Sequence, residues 1–109
     1  MANTFTSYVN KDVGASAATV VTVGASTQTT IIGMAVANTS ASPITASVYF
    51  TRSAVDYYLI RNGVVPVGSS LVVVGGDQKV VLITSDVLKV ITSASASADV
   101  VTSVLNITP

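Results

Sequence analysis

Asp56, Asp77, Asp86 and Asp99 are the acids outside the first twelve residues. Two carboxylates brought together would suit general acid-base chemistry. Each of the four sits in or beside a segment of turn composition, where an Asp side chain bonds its own local backbone, so turn capping is the favoured reading. The chain has many serines but neither histidine nor cysteine, so none has the usual activating base. A Ser-Lys arrangement through Lys79 or Lys89 is the nucleophilic chemistry left, and no motif supports it. For metals there is no D-x-[DN]-x-[DN]-G loop and no soft ligand, only incidental cation contact at Asp77 or Asp99. The Gly75-Gly76-Asp77-Gln78 run lacks the phosphate-loop pattern and precedes a strand, which predicts a hairpin turn. The expectation is a protein that is not an enzyme, with no metal and no cofactor.

Binding chemistry has a few more candidates. Tyr57 and Tyr58 could stack on a sugar or a base, but neighbours on a strand point to opposite faces and cannot form one platform. One tyrosine is therefore assigned to the core and the other to the surface or an interface. Arg52 and Arg61 bracket the pair. With five basic and five acidic side chains the formal charge is zero, and no basic stripe suits nucleic acid. Asn38-Thr39-Ser40 and Asn106-Ile107-Thr108 match the N-glycosylation pattern, which matters only in a protein secreted by a eukaryote.

These residues sit in a sequence built for strands. Half of the 109 residues are hydrophobic and 9% are charged, against a usual charged share of about 25%. Val, Thr, Ser, Ala and Gly dominate, and β-branched side chains fit a pleated surface. The length suits one domain, read as an N-terminal strand or arm over residues 1–12 and a sandwich over 13–109. Without cysteine there is no disulfide framework. The N-terminal MANTFTSYVNKD lacks the basic and apolar regions of a secretory signal. No apolar run reaches the roughly 20 residues needed to span a bilayer. Cytoplasmic synthesis and no membrane partner are therefore expected, and low charge at zero net balance favours a surface that is covered by association.

In chain order, Asn3 to Val9 is the opening strand or arm, and Thr19 to Val23 is a strand stopped by Gly24. Thr29 to Asn38 is apolar on both faces, the mark of a central strand. Its alternation places Ile32, Met34 and Val36 on one face and Ile31, Gly33, Ala35 and Ala37 on the other, with Gly33 marking a bulge or a close backbone approach. Ile44 to Thr51 turns Ala46, Val48 and Phe50 to one side. Arg52 to Asp56 is read as a turn and Asn62-Gly63 as a reversal into Val64 to Val67, where Pro66 predicts an edge. Leu71 to Val74 and Lys79 to Ile83 are read as a hairpin across Gly75-Gly76-Asp77. Val87 to Thr92 follows, Ser93 to Asp99 reads as a flexible tip, and Val100 to Ile107 closes the chain. About eight to ten short strands at this spacing predict an all-β antiparallel sandwich, Ig-like or jelly-roll-like.

From residue 29 to residue 107 the chain resembles small structural proteins of tailed-bacteriophage virions. The resemblance rests on a strand ending in ANTS, an aromatic strand, VPVGSSLVV, a KVVL strand, a turn Asp, then LKV and a terminal SVLNI. Where that family has Gly-Asp before the penultimate strand, this chain has Ser85-Asp86. The resemblance implies a β-sandwich decoration or cement protein that stabilises contacts between capsid subunits, found in the virion after synthesis in the host cytoplasm. Its partners would be the major capsid protein or other virion proteins, and copies of itself. A neck, tail, baseplate or fibre component, or a carbohydrate- or receptor-binding module, is the alternative. The contact residues named for it are Phe5 and Tyr8 in the N-terminal segment, with Tyr57, Tyr58, Arg52 and Arg61.

Overall fold

A computed structural model describes residues 2–75 and 78–108 of the chain. It consists of β1 (Ala2–Val13), β2 (Ala18–Thr22), β3 (Gln28–Asn38), β4 (Ile44–Arg52), β5 (Val55–Val65), β6 (Ser70–Val74), β7 (Val80–Leu82), β8 (Val87–Thr92) and β9 (Ala98–Thr108). The first sheet runs β1-β9-β3, with β6 and β7 both hydrogen-bonded to the far edge of β3; the second runs β2-β8-β4-β5. All pairings are antiparallel. Partners are nested about the β4-β5 hairpin: β3 with β6 and β7, then β2 with β8, then β1 with β9. This long hairpin, rolled up so that successive layers alternate between two sheets, is a jelly roll. β6 and β7 act as one interrupted strand.

Two sheets must bury one face each, and the side chains divide accordingly. Val100, Thr102 and Val104 of β9 point inward while Val101 is exposed; Leu88, Val90 and Thr92 of β8 point inward between half-exposed neighbours. Ile31, Met34, Val36, Val48 and Leu82 complete a core of mostly β-branched side chains. Each stabilises the fold by about 1.5–3 kcal/mol relative to exposure.

Three departures from simple alternation decide the shape. A register shift between Ile31 and Gly33 interrupts β3, and the extra residue switches the phase. Ile31 therefore shares the core face with Met34 and Val36, and Ile32 is only partly buried; the facing expected from alternation is corrected there. Asn62-Gly63 does not reverse the chain, because β5 runs continuously through it with a register shift against Ala46 and Val48. Asn62 takes a left-handed φ of 54°, and its N–H donates to Ser47 Oγ at 2.9 Å, so the bulge satisfies what a turn would have satisfied. The real β4-β5 turn is Ser53-Ala54, with φ of 52° and 63°, closed by the Arg52 and Val55 pair. Two successive positive φ values make the turn whose twist matches the flanking strands.

The expected β6-β7 hairpin is also corrected. Val74 pairs with Met34 and Val80 with Ile31, so both strands run the same way along β3 and do not pair with each other across a hairpin turn. Asp77, placed there by the sequence reading, lies outside the described residues. Finally, Ser93 to Asp99 is only partly a tip. Ser97 is fully buried, its N–H donating to the Val13 carbonyl at 2.9 Å and its hydroxyl bonded to Thr92 Oγ1 at 2.7 Å. Gly14 makes this approach feasible, since a Cβ there would meet Ala96 N at 3.0 Å and Ser95 Cα at 3.1 Å.

Candidate functional site

The residues singled out from sequence fall into three places. At one end of the sandwich, β4 and β5 bring Phe50 and Tyr57 together with ring centroids 5.4 Å apart, and the Arg52 guanidinium lies 5.2 Å from the Phe50 ring centroid. Arg52 reaches past that ring to Asp86 at the start of β8. Its Nη2 donates to Oδ2 at 2.6 Å and its Nε to Oδ1 at 2.9 Å. The Asp86 side chain is 1% exposed and that of Arg52 37%. The Ile83 N–H donates to the same carboxylate at 2.9 Å. The Arg52 hydrogen bond holds the Asp86 carboxyl below its ordinary range, with help from Ile83, and burial opposes the shift. Asp86, read from sequence as a turn residue, is therefore also the buried anchor of a partly exposed ion pair.

The outer face of the second sheet carries the other aromatic pair. Lys89, Tyr49 and Tyr58 lie side by side across β8, β4 and β5. The two rings are 4.9 Å apart, and Arg61 caps the Tyr58 ring at 5.2 Å. Tyr57 and Tyr58 thus do face opposite ways, as strand geometry requires, yet both stay about half exposed. Partial burial, followed by the nearby Asp56 charge, raises the Tyr49 hydroxyl above its ordinary value. Asp56 accepts from Thr51 Oγ1 at 2.7 Å.

The third place is β1, which pairs with β9 from Ala2 to Val13. Phe5 points to solvent at 75% exposure. Tyr8 turns the other way and packs against the core, its hydroxyl accepting from Asn106 Nδ2 at 3.5 Å. At the end of β1, Lys11 Nζ donates to Asp99 Oδ2 at 3.1 Å and the Asp12 N–H to Asp99 Oδ1 at 3.1 Å. The Asp12 backbone contact and then Lys11 lower the Asp99 carboxyl, while Asp99 raises the Lys11 ammonium. An open depression of about 340 Å³ lies beside this pair, between Asn10, Ser16 and Ser95.

Three of the four aspartates weighed from sequence are kept apart. Asp56, Asp86 and Asp99 sit in three separate environments, each bonded to a neighbouring group. Among the described residues no three His, Cys, Asp or Glu side chains converge on a metal position, and no helix is long and apolar enough to cross a membrane. Both glycosylation-pattern asparagines are used internally. Asn38 Nδ2 donates to the Val65 carbonyl at 3.0 Å, and Asn106 Oδ1 accepts from Thr29 at 2.7 Å. The Arg52 and Asp86 pair had no local signal, since its partners are 34 residues apart and meet only through the β4-β8 ladder. Tyr49 and Lys89 were missed for the same reason. What the arrangement offers chemically is contact: aromatic, cationic and aliphatic groups on sheet faces.

No family model matches the chain, and no curated protein matches it. Solved structures do. A chain of Bacillus endospore appendages, described as a novel family of disulfide-linked pili, has a TM-score of 0.59 at 16% identity, over 98% of this chain and 87% of that one. A chain from the structure of infectious bursal disease virus, Gx strain, has a TM-score of 0.54 at 14% identity. It covers 95% of this chain, which in turn covers 35% of the viral one. The all-β two-sheet fold is thus shared, nearly end to end, with a pilus chain and a viral chain.

Proposed function

We propose that this protein is a non-enzymatic structural subunit whose work is to bind neighbouring subunits in a large assembly, and that the assembly is a virion, with the chain decorating the capsid and bridging capsomers. One observation carries the reading: large apolar side chains, Phe5, Val9, Val64, Val72 and Val101 among them, stand more than half exposed on a chain with only ten charged residues. Exposed apolar surface on that scale marks an interaction surface. The kinship of fold with a pilus chain and a viral chain supports the same reading. Having no cysteine, this chain would join its neighbours without disulfides, and binding only the assembled particle would stabilise it by mass action.

Counting copies of the protein in purified source virions tests the location. On the order of hundreds of copies supports a capsid position, whereas a dozen or fewer points to the neck, tail, baseplate or a fibre, since those parts follow low cyclic symmetry. Absence from virions removes the reading. A second reading, a carbohydrate- or receptor-binding module, draws on the exposed Tyr58 ring capped by Arg61. Glycan binding that is abolished in Tyr58→Ala would favour it over the structural one.

A further inference from the structure

We infer that the outer face of the first sheet docks a second copy of this chain face to face, with Phe5 seated in a furrow floored by Ser7, Ser103 and Gly33. The inference rests on the assembly reading above and gives it a surface and a partner. The register of the sheet places outward side chains in rows that cross the strands. One row is Phe5, Leu105, Thr30 and Val81; the next, two residues along β1 and β9 but three along β3 because of the bulge at Ile32, is Ser7, Ser103 and Gly33; two further comes Val9, Val101, Ala35 and Val72. Two apolar ridges therefore flank a furrow floored by small residues on β1 and β9 and narrowed on β3 by the partly buried bulge residue Ile32. The ridges stand out from the surface, with Phe5 at 75%, Val9 at 73% and Val72 at 65% exposure.

Gly33 indicates that the furrow is built to be occupied. A glycine inside a central strand weakens it and signals close approach by something. Gly33 sits at the β3 bulge, which does not itself require a glycine: its φ lies outside the left-handed region, and a Cβ would meet nothing nearer than the Val74 carbonyl oxygen at 3.8 Å. The missing side chain clears space only on the outer side of the sheet. What approaches there is best met by this face itself. No side chain in the three rows is charged, and Lys11 and Asp99 at the end of the face already neutralise each other. A two-fold axis lying in the contact plane between the Phe5 row and the Ser7 row would set each copy's ridge into the other's furrow, the self-complementarity an isologous contact needs. Strands of 11 to 12 residues in a sheet four strands wide present a face of about 700 Å². That is close to the roughly 800 Å² per partner of a standard stable interface.

Sedimentation velocity of the full chain over a concentration series tests this, with Phe5→Ser and Gly33→Thr as face variants and Tyr58→Ser on the opposite sheet as control. The expected result is a wild-type dimer whose Kd rises at least about tenfold in each face variant and is unchanged in Tyr58→Ser. The melting midpoint of Gly33→Thr should stay the same or rise, because the added side chain meets open space within the monomer. A wild-type chain that is monomeric at its highest soluble concentration overturns the inference, as does a dimer that both face variants leave intact. Capture of a different protein by this face in place of a second copy also overturns it. Co-sedimentation with source virions separates the two readings: a monomer that still binds particles sinks only the dimer, whereas failure in both assays sinks the structural role as well.

Discussion

The Arg52 guanidinium grips the Asp86 carboxylate through Nη2 at 2.6 Å and Nε at 2.9 Å, joining the end of β4 to the residue that precedes β8. The carboxylate is buried and also holds the Ile83 N–H, so removing one partner strands the others. Asp86→Ala should cost about 2–3 kcal/mol in urea denaturation at neutral pH. Arg52→Ala should also destabilise, by less, since its side chain is 37% exposed, and the double variant should lose clearly less than the sum. Additive losses would show that the pair does not act as a unit.

The same contact sets an acid limit on stability. The folded-state Asp86 carboxyl titrates below its ordinary value of 3.8, so the unfolded chain takes up the proton first as pH falls. Its contribution is fully present above that ordinary value and fades as pH drops from there through the folded-state value. Asp99, shifted the same way, adds to the trend. Melting midpoints should therefore hold from pH 6 down to about pH 4 and fall below it, and the fall should be shallower in Asp86→Asn. An identical slope in the two proteins would rule Asp86 out as the cause.

Ser53 and Ala54 occupy the β4-β5 turn with positive φ at both positions, where a Cβ is disfavoured. Ala54→Gly should relieve that strain and stabilise by about 0.5–1 kcal/mol, net of the greater freedom it gives the unfolded chain. At the bulge, Asn62→Val should destabilise by about 1–2 kcal/mol, since a β-branched residue tolerates the left-handed region poorly. Thermal melts monitored by circular dichroism read both, and equal melts for Ala54→Gly and wild type would mean the turn is unstrained.

Thr102 is fully buried in β9, and its hydroxyl has no hydrogen-bond partner among the described residues. Thr102→Val keeps the shape and removes the unpaired group, so a gain of about 1 kcal/mol is expected. A loss in guanidinium unfolding would show that the hydroxyl is satisfied in solution.

The Tyr49 and Tyr58 rings meet at a tilt across β4 and β5, with centroids 4.9 Å apart. A double-mutant cycle to alanine should give a coupling of about 0.5–1.5 kcal/mol, and Arg61→Ala alone should cost at most about 1 kcal/mol. Coupling indistinguishable from zero would reduce the pair to independent side chains.

The candidate site was legible in part. Phe5, Tyr57, Tyr58 and the two arginines could be named because aromatic and cationic residues are rare in this chain and stand out. Their grouping could not. Tyr8 was grouped with Phe5, yet the odd spacing between positions 5 and 8 puts them on opposite faces of β1 once the strand is regular. Tyr49 and Lys89 join the outer patch only because β4 lies between β5 and β8.

Composition and period-two patterning by themselves determined that the chain is all-β, that β3 is central, that Pro66 closes an edge, and that the aromatic strand is followed by a tight turn. Those are local consequences of side-chain shape and backbone freedom. Tertiary structure decided the rest. It turned the Asn62-Gly63 signal into a bulge by supplying Ser47 as a hydrogen-bond partner, and laid β6 and β7 end to end on one strand instead of against each other. One extra residue at Ile32-Gly33 brought Ile31 into the core. Each of these outcomes depends on which distant backbone fills a strand's open edge, and a one-residue slip in that pairing exchanges the buried and exposed faces.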